Sequence, residues 1–234
     1  MRHARAVARC LFVACFPLML LTTAVRLEAS SVPIYEYGFD KYSISEVTKI
    51  DRAQLSAVAR RLVDYFNSRT ETPQITIVNQ NGDEFELFHD YELIHLEDVK
   101  GLLQLDCGVQ VASLACIIAY VLLFLFWQRG RWQDLARGVR QGCALTLALI
   151  AGLGIASLLS FERLFIQFHL ISFSNRYWLL DPGKDYLIML FPEGFWQDVA
   201  LLCGGAVAAA ALLLGGVAWA VPLLYERRKP ASSL

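Results

Sequence analysis

Residues 109–127 read VQVASLACIIAYVLLFLFW and contain no charged side chain. A helix needs about 20 predominantly apolar residues to cross the hydrocarbon core of a bilayer, and Gln110 is the strongly polar residue of this stretch. Comparable apolar segments occur at residues 10–25, 143–161 and 199–225, and none has a charge at its centre. The sequence therefore predicts four transmembrane helices.

The composition of the whole chain agrees with a membrane protein. Its 234 residues are 56% hydrophobic and 18% charged, and the mean hydropathy is +0.44. Soluble domains are usually about 45–50% apolar and about 25% charged. The net charge is −1 and no basic stripe or nucleic-acid motif is present, so we expect no nucleic-acid partner.

The cysteines give no sign of a disulfide framework. Only Cys107 is close to the predicted outer face, and the others lie inside or at the edges of apolar segments, at Cys10, Cys15, Cys116, Cys143 and Cys203. Because a buried cysteine behaves as a small apolar residue, we expect all of them to serve helix packing.

The first apolar segment has two interpretations. A basic stretch with Arg2, Arg5 and Arg9 precedes it, which is typical of a signal peptide as well as of a membrane anchor. Cleavage near Ala29 is the alternative to an anchor, whereas a lipobox at Cys15 fits poorly because the apolar run continues past it. We favour the uncleaved anchor.

Basic residues determine the predicted orientation, because Lys and Arg in short loops stay in the cytoplasm. Besides the N-terminal arginines, basic clusters follow the second and fourth spans, at Arg129, Arg131, Arg137 and Arg140 and at Arg227, Arg228 and Lys229. An even number of spans puts both termini on one side of the membrane. All three clusters then predict an N-in, C-in topology.

The sequence thus predicts an α-helical polytopic membrane protein with four transmembrane helices and a small extracytoplasmic α+β cap. The predicted segments are the cytoplasmic N-terminus with the first span (1–27), the cap (28–106), the second span (107–128), a basic cytoplasmic loop (129–141), the third span (142–161), an extracytoplasmic aromatic segment (162–198), the fourth span (199–225) and a cytoplasmic tail (226–234).

Local patterns in the cap predict one helix and one hairpin. Asp51 can N-cap a helix that runs to about Asn67, with apolar residues at i, i+3 and i+4 spacing. Residues 74–78 and 85–88 alternate as strands on either side of an Asn81-Gly82 turn.

A second cap helix is predicted to begin at Asp90 and to carry His95 at the border of its apolar face. Histidine can take and give protons near neutral pH, and Asp98 lies one turn further along the helix. The alternative is an interfacial histidine satisfied by Asp98 or by the backbone. Gly101 and Gly108 could break or bend the path into the second span.

His169 follows the third span. A continuous helix from Gly142 would place His169 about 40 Å further along, whereas the hydrocarbon core is about 30 Å thick. Both histidines are therefore predicted at the outer headgroup level, which is also the depth of a lipid ester. The alternative is that His169 belongs to an aromatic belt.

The aromatic segment and the fourth span carry further local signals. Asp181-Pro182-Gly183 predicts a turn, residues 186–191 a short apolar piece in the membrane interface, and Pro192-Glu193 the first turn of the fourth helix. Small residues between Gly204 and Gly216 predict close helix packing within the bundle, with dimerisation as the alternative.

Other site chemistry has weak support. A metal site formed by His95, His169 and either Asp98 or Asp181 is conceivable, but no tight ligand pair is present and we predict no metal. The adjacent charges of Glu162 and Arg163 fit a structural ion pair at least as well as substrate contact. Ser172 or Ser174 near His169 is a poor case for a nucleophile.

At these motifs the chain resembles the lipoprotein intramolecular transacylase (Lit) family. The resemblance covers most of the chain and is carried by His95-Leu96-Glu97-Asp98-Val99-Lys100 and by Phe168-His169 followed by Phe173, Asn175, Trp178, Asp181-Pro182, Asp185 and Phe191-Pro192-Glu193-Gly194-Phe195-Trp196. The family usually has methionine after the first histidine, where this chain has Leu96; an apolar exchange of this kind does not threaten the chemistry.

The resemblance implies acyl transfer on a bacterial lipoprotein, in the bacterial cell membrane and on its outer face. The family moves one acyl chain from the sn-2 oxygen of a diacylglyceryl-modified N-terminal cysteine to the α-amino group of that cysteine, which gives the lyso-form. The implied partners are this lipoprotein N-terminus and membrane lipid. Both ends of the reaction belong to one molecule, so no cofactor is implied.

The family's catalytic histidines would correspond to His95 and His169. Our hypothesis has His95 as general base and His169 as general acid, with the reverse assignment and a two-step route through an acyl-imidazole as alternatives. Arg163 and Asn175 are candidate oxyanion donors by position alone. Asp98, Trp178 and Asp181 complete the candidate substrate-binding residues.

Two functions of other classes remain open from the sequence. The chain could be a non-catalytic membrane protein whose cap binds a lipid or a protein partner, with the histidines as interfacial packing. It could also be an interfacial hydrolase that releases fatty acid to water.

Overall fold

Long helices dominate the fold. The structure is a computed structural model, and it describes residues 2–68, 72–78, 82–126 and 132–227. The elements in chain order are α1 (Arg2–Ala29), α2 (Val32–Lys41), α3 (Ile44–Thr48), α4 (Arg52–Asn67), β1 (Thr76–Val78), β2 (Glu84–Glu86), α5 (Asp90–Phe126), α6 (Trp132–Ser172), α7 (Tyr186–Leu190) and α8 (Glu193–Arg227). Within the described ranges, four helices are long and apolar enough to cross a membrane, namely α1, α5, α6 and α8. The predicted fold class is confirmed.

The chain divides into two compact units, and the first contains residues 1–24, 107–155 and 203–234. Its buried cluster consists of Phe12, Phe16, Cys143 and Ala211. Gln110, the polar residue of the second predicted span, donates from Nε2 to Thr23 Oγ1 at 2.9 Å. A polar side chain within a membrane helix is thereby satisfied by a neighbouring helix.

Glycines allow helices of this unit to approach closely. A Cβ atom at Gly142 of α6 would lie 2.6 Å from the ring of Phe16 on α1. On α8, a Cβ at Gly204 would lie 3.7 Å from Ile150 and one at Gly215 would lie 3.4 Å from Cys143. The small residues of α8 therefore pack against α6, as their spacing predicts.

We expect Gly142→Leu to destabilise the folded protein by roughly 1–3 kcal/mol, because the added side chain overpacks the contact with Phe16. The matched control is Gly152→Leu on the same helix, where an added Cβ meets no atom within 4 Å. Thermal unfolding in detergent measures both. Equal melting temperatures for the two variants would contradict the close approach of α1 and α6.

The second unit contains residues 25–106 and 156–202 and holds the larger apolar core. Helix α4 forms as predicted, and the Asp51 carboxylate accepts a hydrogen bond from the backbone N–H of Ala53 at 2.9 Å. The apolar face of α4 buries Leu55, Val58, Ala59, Leu62 and Tyr65. The predicted helix, its cap and its inward face are all confirmed.

Helix α7 lies in this core. Leu187, Leu190 and Phe191 of the apolar piece at residues 186–191 are buried with the residues of α4. The expected position of this piece in the membrane interface stays a prediction. The spacing of Leu187 and Leu190 places both on one face, and a protein core was available to cover it. Helix α8 begins at Glu193, as Pro192-Glu193 predicts.

The hairpin is shorter than predicted. Strands β1 and β2 pair antiparallel with Ile77 opposite Phe85. Asn81 of the predicted turn lies outside the described residues, and Gly82 has a φ of +89°, which favours glycine. The side-chain amide of Gln54 accepts from the N–H of Val78 at 2.8 Å and donates to its carbonyl at 2.9 Å, so it occupies one edge of β1.

Helix α5 is continuous through Gly101 and Gly108, so neither glycine breaks the path into the second span. One glycine inside a helix costs only about 1 kcal/mol relative to alanine. The long intrahelical hydrogen-bond ladder of α5 outweighs that cost.

Helix α6 begins earlier than the predicted third span and has one non-helical residue, Ser160, with φ −168° and ψ 92°. The depth estimate for His169 assumed an uninterrupted helix, so the depth stays a prediction. Of the basic residues used for orientation, Arg129, Arg131, Arg228 and Lys229 lie outside the described residues.

Candidate active site

His95 lies on the second turn of α5 and is almost fully enclosed, with 7% of its surface exposed. The helix begins at Asp90, so its first turn fixes the direction of the His95 side chain. Nδ1 of His95 is buried and has no hydrogen-bond partner among the described residues. A buried polar atom without a partner is rare in native proteins, so this nitrogen is available to a substrate atom or a water molecule.

His169 lies in the last turn of α6 and is also 7% exposed. Its Nδ1 is 2.8 Å from the backbone carbonyl oxygen of Phe165, one turn earlier on the helix. A carbonyl oxygen only accepts, so Nδ1 carries the proton in this hydrogen bond. In the neutral ring, Nε2 of His169 therefore carries the free lone pair.

The two imidazoles face one another inside an aromatic enclosure. Their ring centroids are 6.0 Å apart with an interplanar angle of 33°. The ring of Phe173 is edge-on to His95, with ring centroids 5.0 Å apart, and its centroid is 5.6 Å from that of His169. The ring centroids of Trp178 and His169 are 5.0 Å apart. The structure thus brings together two histidines that are far apart in sequence, in an aromatic enclosure that leaves both of them largely buried.

Asp98, Asn175 and Trp178 form a polar chain beside this pair. Nδ2 of Asn175 donates to Oδ2 of Asp98 at 2.7 Å, and Nε1 of Trp178 donates to the carbonyl of Asn175 at 3.2 Å. Asp98 therefore directs its hydrogen bond to Asn175, and the interpretation of His95 as a histidine satisfied by Asp98 does not fit the contacts described.

Arg163 and Asp181 lie apart from this cluster. Arg163 and its neighbour Glu162 are exposed on α6, and neither forms an ion pair with any residue the structure describes. Asp181 stabilises a turn, because its Oδ1 accepts from the N–H of Gly183 at 2.8 Å. The structure therefore does not show the ion pair that the adjacent charges of Glu162 and Arg163 suggested.

Sequence reasoning missed a second polar cluster formed by His89, Glu92 and Asp185. Glu92 is 0% exposed and Asp185 is 1% exposed. Oε2 of Glu92 accepts from both the backbone N–H and the Nδ1 of His89 at 2.8 Å, and Oε1 accepts from the N–H of Leu187 at 2.8 Å. Glu92 lies three residues after His89 and accepts from its backbone N–H, as the glutamate of a capping box does, but the sequence has histidine in place of the usual Ser or Thr and so gave no such signal.

Asp185 completes the second cluster. Its two oxygens accept from the Tyr91 hydroxyl and, at 2.7 Å, from the backbone N–H of Asp181. Burial acts to raise the pKa of Asp185, but these hydrogen bonds and the charges of Lys184 and His89 outweigh it and bring the pKa below its ordinary value. Asp185 is therefore a carboxylate at neutral pH.

Ligand atoms of His89, Glu92 and Asp185 lie within 4.8 Å of one another, which is close enough to hold a metal ion. This group differs from the one that the sequence suggested, which combined His95 and His169 with an aspartate. All four carboxylate oxygens of the cluster already accept hydrogen bonds from N–H or O–H donors. The donor set therefore fits a hydrogen-bonded network better than a metal centre.

Comparisons with known proteins point in one direction. Residues 10–196 match a family model described as "Lipoprotein intramolecular transacylase Lit". The fold is similar to the in meso structure of the membrane integral lipoprotein intramolecular transacylase Lit from Bacillus cereus, with a TM-score of 0.79, 18% identity and coverage of 97% of this chain and 99% of that chain. A Bacillus cereus Lit variant with one histidine replaced by arginine gives a TM-score of 0.76 at 18% identity, covering 97% of this chain and 96% of that one. No curated protein matches the sequence significantly.

Proposed function

The chain belongs to the lipoprotein intramolecular transacylase (Lit) family, and from this we propose that it transfers an acyl chain within a bacterial lipoprotein. The chain moves from the sn-2 oxygen of the diacylglyceryl group to the α-amino group of the N-terminal cysteine. The product is the lyso-form with an N-acyl chain. The observation that carries this proposal for the site is the enclosed pair of imidazoles, His95 and His169, with ring centroids 6.0 Å apart.

The reaction exchanges one bond for another within a single molecule. The amine nitrogen forms a bond to the ester carbonyl carbon, and the bond from that carbon to the sn-2 oxygen breaks. The nitrogen loses a proton and the departing oxygen gains one, so the mass of the lipoprotein is unchanged. Two imidazoles that share one proton can do both transfers, each worth about 10²–10⁴-fold in rate.

The hydrogen bond of His169 supports an assignment opposite to the one that the sequence suggested first. With Nδ1 donating to the Phe165 carbonyl, Nε2 of His169 is free to accept the amine proton. His95 then donates the proton to the departing glyceryl oxygen. The unpartnered Nδ1 of His95 gives that ring an atom available to substrate.

The contacts of the structure support some of the other candidate residues and not others. Asn175 has a second amide N–H besides the one that it donates to Asp98, and this group can donate to the developing oxyanion. Asp98 orients that amide, and Trp178 forms part of the wall beside His169. Arg163 and Asp181 remain candidates for contact with the lipoprotein, but no contact with the histidines supports either.

We also propose that both termini are cytoplasmic and that the histidine pair works at the outer face of the membrane. The basic residues near the start of α1 and of α6 support this orientation, because Arg and Lys stay in the cytoplasm. A diacylated lipoprotein N-terminus and membrane lipid would reach the pair there. A C-terminal fluorescent-protein fusion would be bright in this topology and dark in the reverse one.

The proposed function is tested in cells that make only diacylated lipoproteins. A reporter lipoprotein is purified with and without this chain expressed, and its N-terminal lipopeptide is fragmented in a mass spectrometer. We expect unchanged total mass with one acyl chain relocated to the cysteine nitrogen. Loss of one acyl mass would indicate a hydrolase, and an unmodified peptide, with the protein shown to be inserted, would favour a binding protein.

A further inference from the structure

One segment of the second unit crosses the face of α5 that carries His95. This segment, residues 175–187, is called the strap here. It contains Asn175 and Trp178 near its start and ends in the first residues of α7. On α5, Glu92, His95 and Asp98 follow one another at intervals of three residues, so they occupy successive turns of roughly one face.

Two attachments hold the strap on α5, one on each side of His95. At one end, Asn175 donates to Asp98 at 2.7 Å. At the other end, Leu187 donates from its backbone N–H to Glu92 at 2.8 Å. Between these attachments, the ring centroid of Trp178 lies 5.0 Å from that of His169. The path of the strap therefore determines the position of the Trp178 ring beside His169.

The two attachments differ in strength. The Asp98 attachment is a single hydrogen bond between partly buried side chains. At the other end, Glu92 of α5 and Asp185 of the strap are almost fully buried. Two hydrogen bonds join α5 to the strap there, from the Leu187 N–H to Glu92 and from the Tyr91 hydroxyl to Asp185, and three more hold the two carboxylates within their own segments. Both ends use hydrogen bonds to carboxylates, but this end has two of them and its carboxylates are buried, so it is the better-held end.

We propose that Glu92 is a positioning residue, which anchors the strap through Leu187 and so keeps Trp178 against His169. Glu92 does not touch the pair itself, since it lies one helical turn before His95. Its effect on rate rests on the proposed function, whereas its effect on the place of Trp178 does not. Misplacing a group by about 1 Å can cost about 10²-fold in rate.

The charge and geometry of the anchor leave little room for substitution. Replacement of Glu92 by glutamine puts an NH₂ group where one carboxylate oxygen stood. One amide orientation leaves the buried N–H of Leu187 without an acceptor, and the other leaves the partly buried N–H of His89 without one. Because each orientation sets an NH₂ group against a backbone N–H, we expect Glu92→Gln to weaken the hold on the strap at this end without removing volume from the core.

The test uses the full-length protein labelled with 5-fluorotryptophan and observed by fluorine NMR in detergent. The Trp178 resonance is assigned from its disappearance in Trp178→Phe. Glu92→Gln should shift or broaden this resonance and lower the turnover rate by about 10²-fold. The matched control is Glu97→Gln on the same helix, because Glu97 is exposed and should leave both unchanged.

A milder variant keeps the inference testable if Glu92→Gln does not fold. Tyr91→Phe removes one hydrogen bond from Asp185 without changing any charge, and a smaller shift of the same resonance is expected. A Trp178 resonance that stays in place while the rate falls would overturn the inference. So would a stoichiometric divalent metal in the wild-type protein that is absent from Glu92→Gln. A moved resonance in a protein without acyl transfer would uphold the anchor and refute the proposed function.

Discussion

Replacing His169 with alanine is expected to lower the rate of acyl transfer by about 10²–10⁴-fold. The variant loses the Nε2 lone pair that accepts the amine proton, while the helix around position 169 keeps its backbone hydrogen bonds. The measurement is the rate at which purified protein converts a diacylated lipopeptide to the lyso-form, followed by fragmentation mass spectrometry.

Two variants separate proton transfer from other effects of this substitution. His169→Gln can still donate a hydrogen bond to the Phe165 carbonyl but cannot accept a proton near neutral pH, so the loss should be as large. His3→Ala removes an exposed histidine near the N-terminus and should leave the rate unchanged. Activity above half of wild type in His169→Ala would remove this residue from the mechanism.

A loss of similar size is expected for His95→Ala, and the double variant with His169→Ala should lose little more. Residues that act as one unit in a reaction are strongly non-additive, because removing either one already disables the unit. The 6.0 Å separation of the rings and their shared contact with Phe173 place the two imidazoles in one such unit. The rates of wild type, both single variants and the double variant together form a double-mutant cycle that measures this non-additivity.

Independent contributions would have a different signature in that cycle. If the two losses multiplied in the double variant, the histidines would act in separate steps. Thermal unfolding of each variant in the same detergent shows whether the pocket survives. A melting temperature close to that of wild type, together with the lost rate, is the expected combination.

Much of the fold could be predicted because it depends on local signals. Apolar runs of the right length predict the four spans, and Asp51 followed by apolar residues at helical spacing predicts α4 with its cap. The pattern around His95 predicts a helix beginning at Asp90, where α5 begins. Each of these features depends on residues within a few turns of one another.

The features that were not predicted from the sequence depend on contacts between residues far apart in the chain. Helix α2 was not predicted, although Pro33 lies in its first turn and Tyr35, Gly38 and Phe39 are buried at helical spacing. Gly38 is required by the ring of Phe195, which a Cβ would approach to 2.4 Å. Nothing near Asp185 indicates that Tyr91 and His89 will meet it. Such contacts follow from tertiary packing, which overrides local preference.

The candidate site also has features that the sequence predicts and features that depend on the three-dimensional arrangement. The two histidines could be chosen by residue type and by their predicted depth, and the structure brings their rings together. Arg163 was chosen by position alone, and the structure leaves it exposed. The tautomer of His169 depends on the carbonyl of Phe165, so the assignment of base and acid needed the three-dimensional arrangement.

The most direct test of acyl transfer follows one labelled chain through the reaction. A synthetic diacylglyceryl-cysteine peptide with a deuterated sn-2 acyl chain is incubated with purified protein, and the product is fragmented. We expect the label on the cysteine nitrogen at unchanged total mass, and no movement of the label with His169→Ala. A label that remains on glycerol, or that leaves as free fatty acid, would contradict transacylation by this protein.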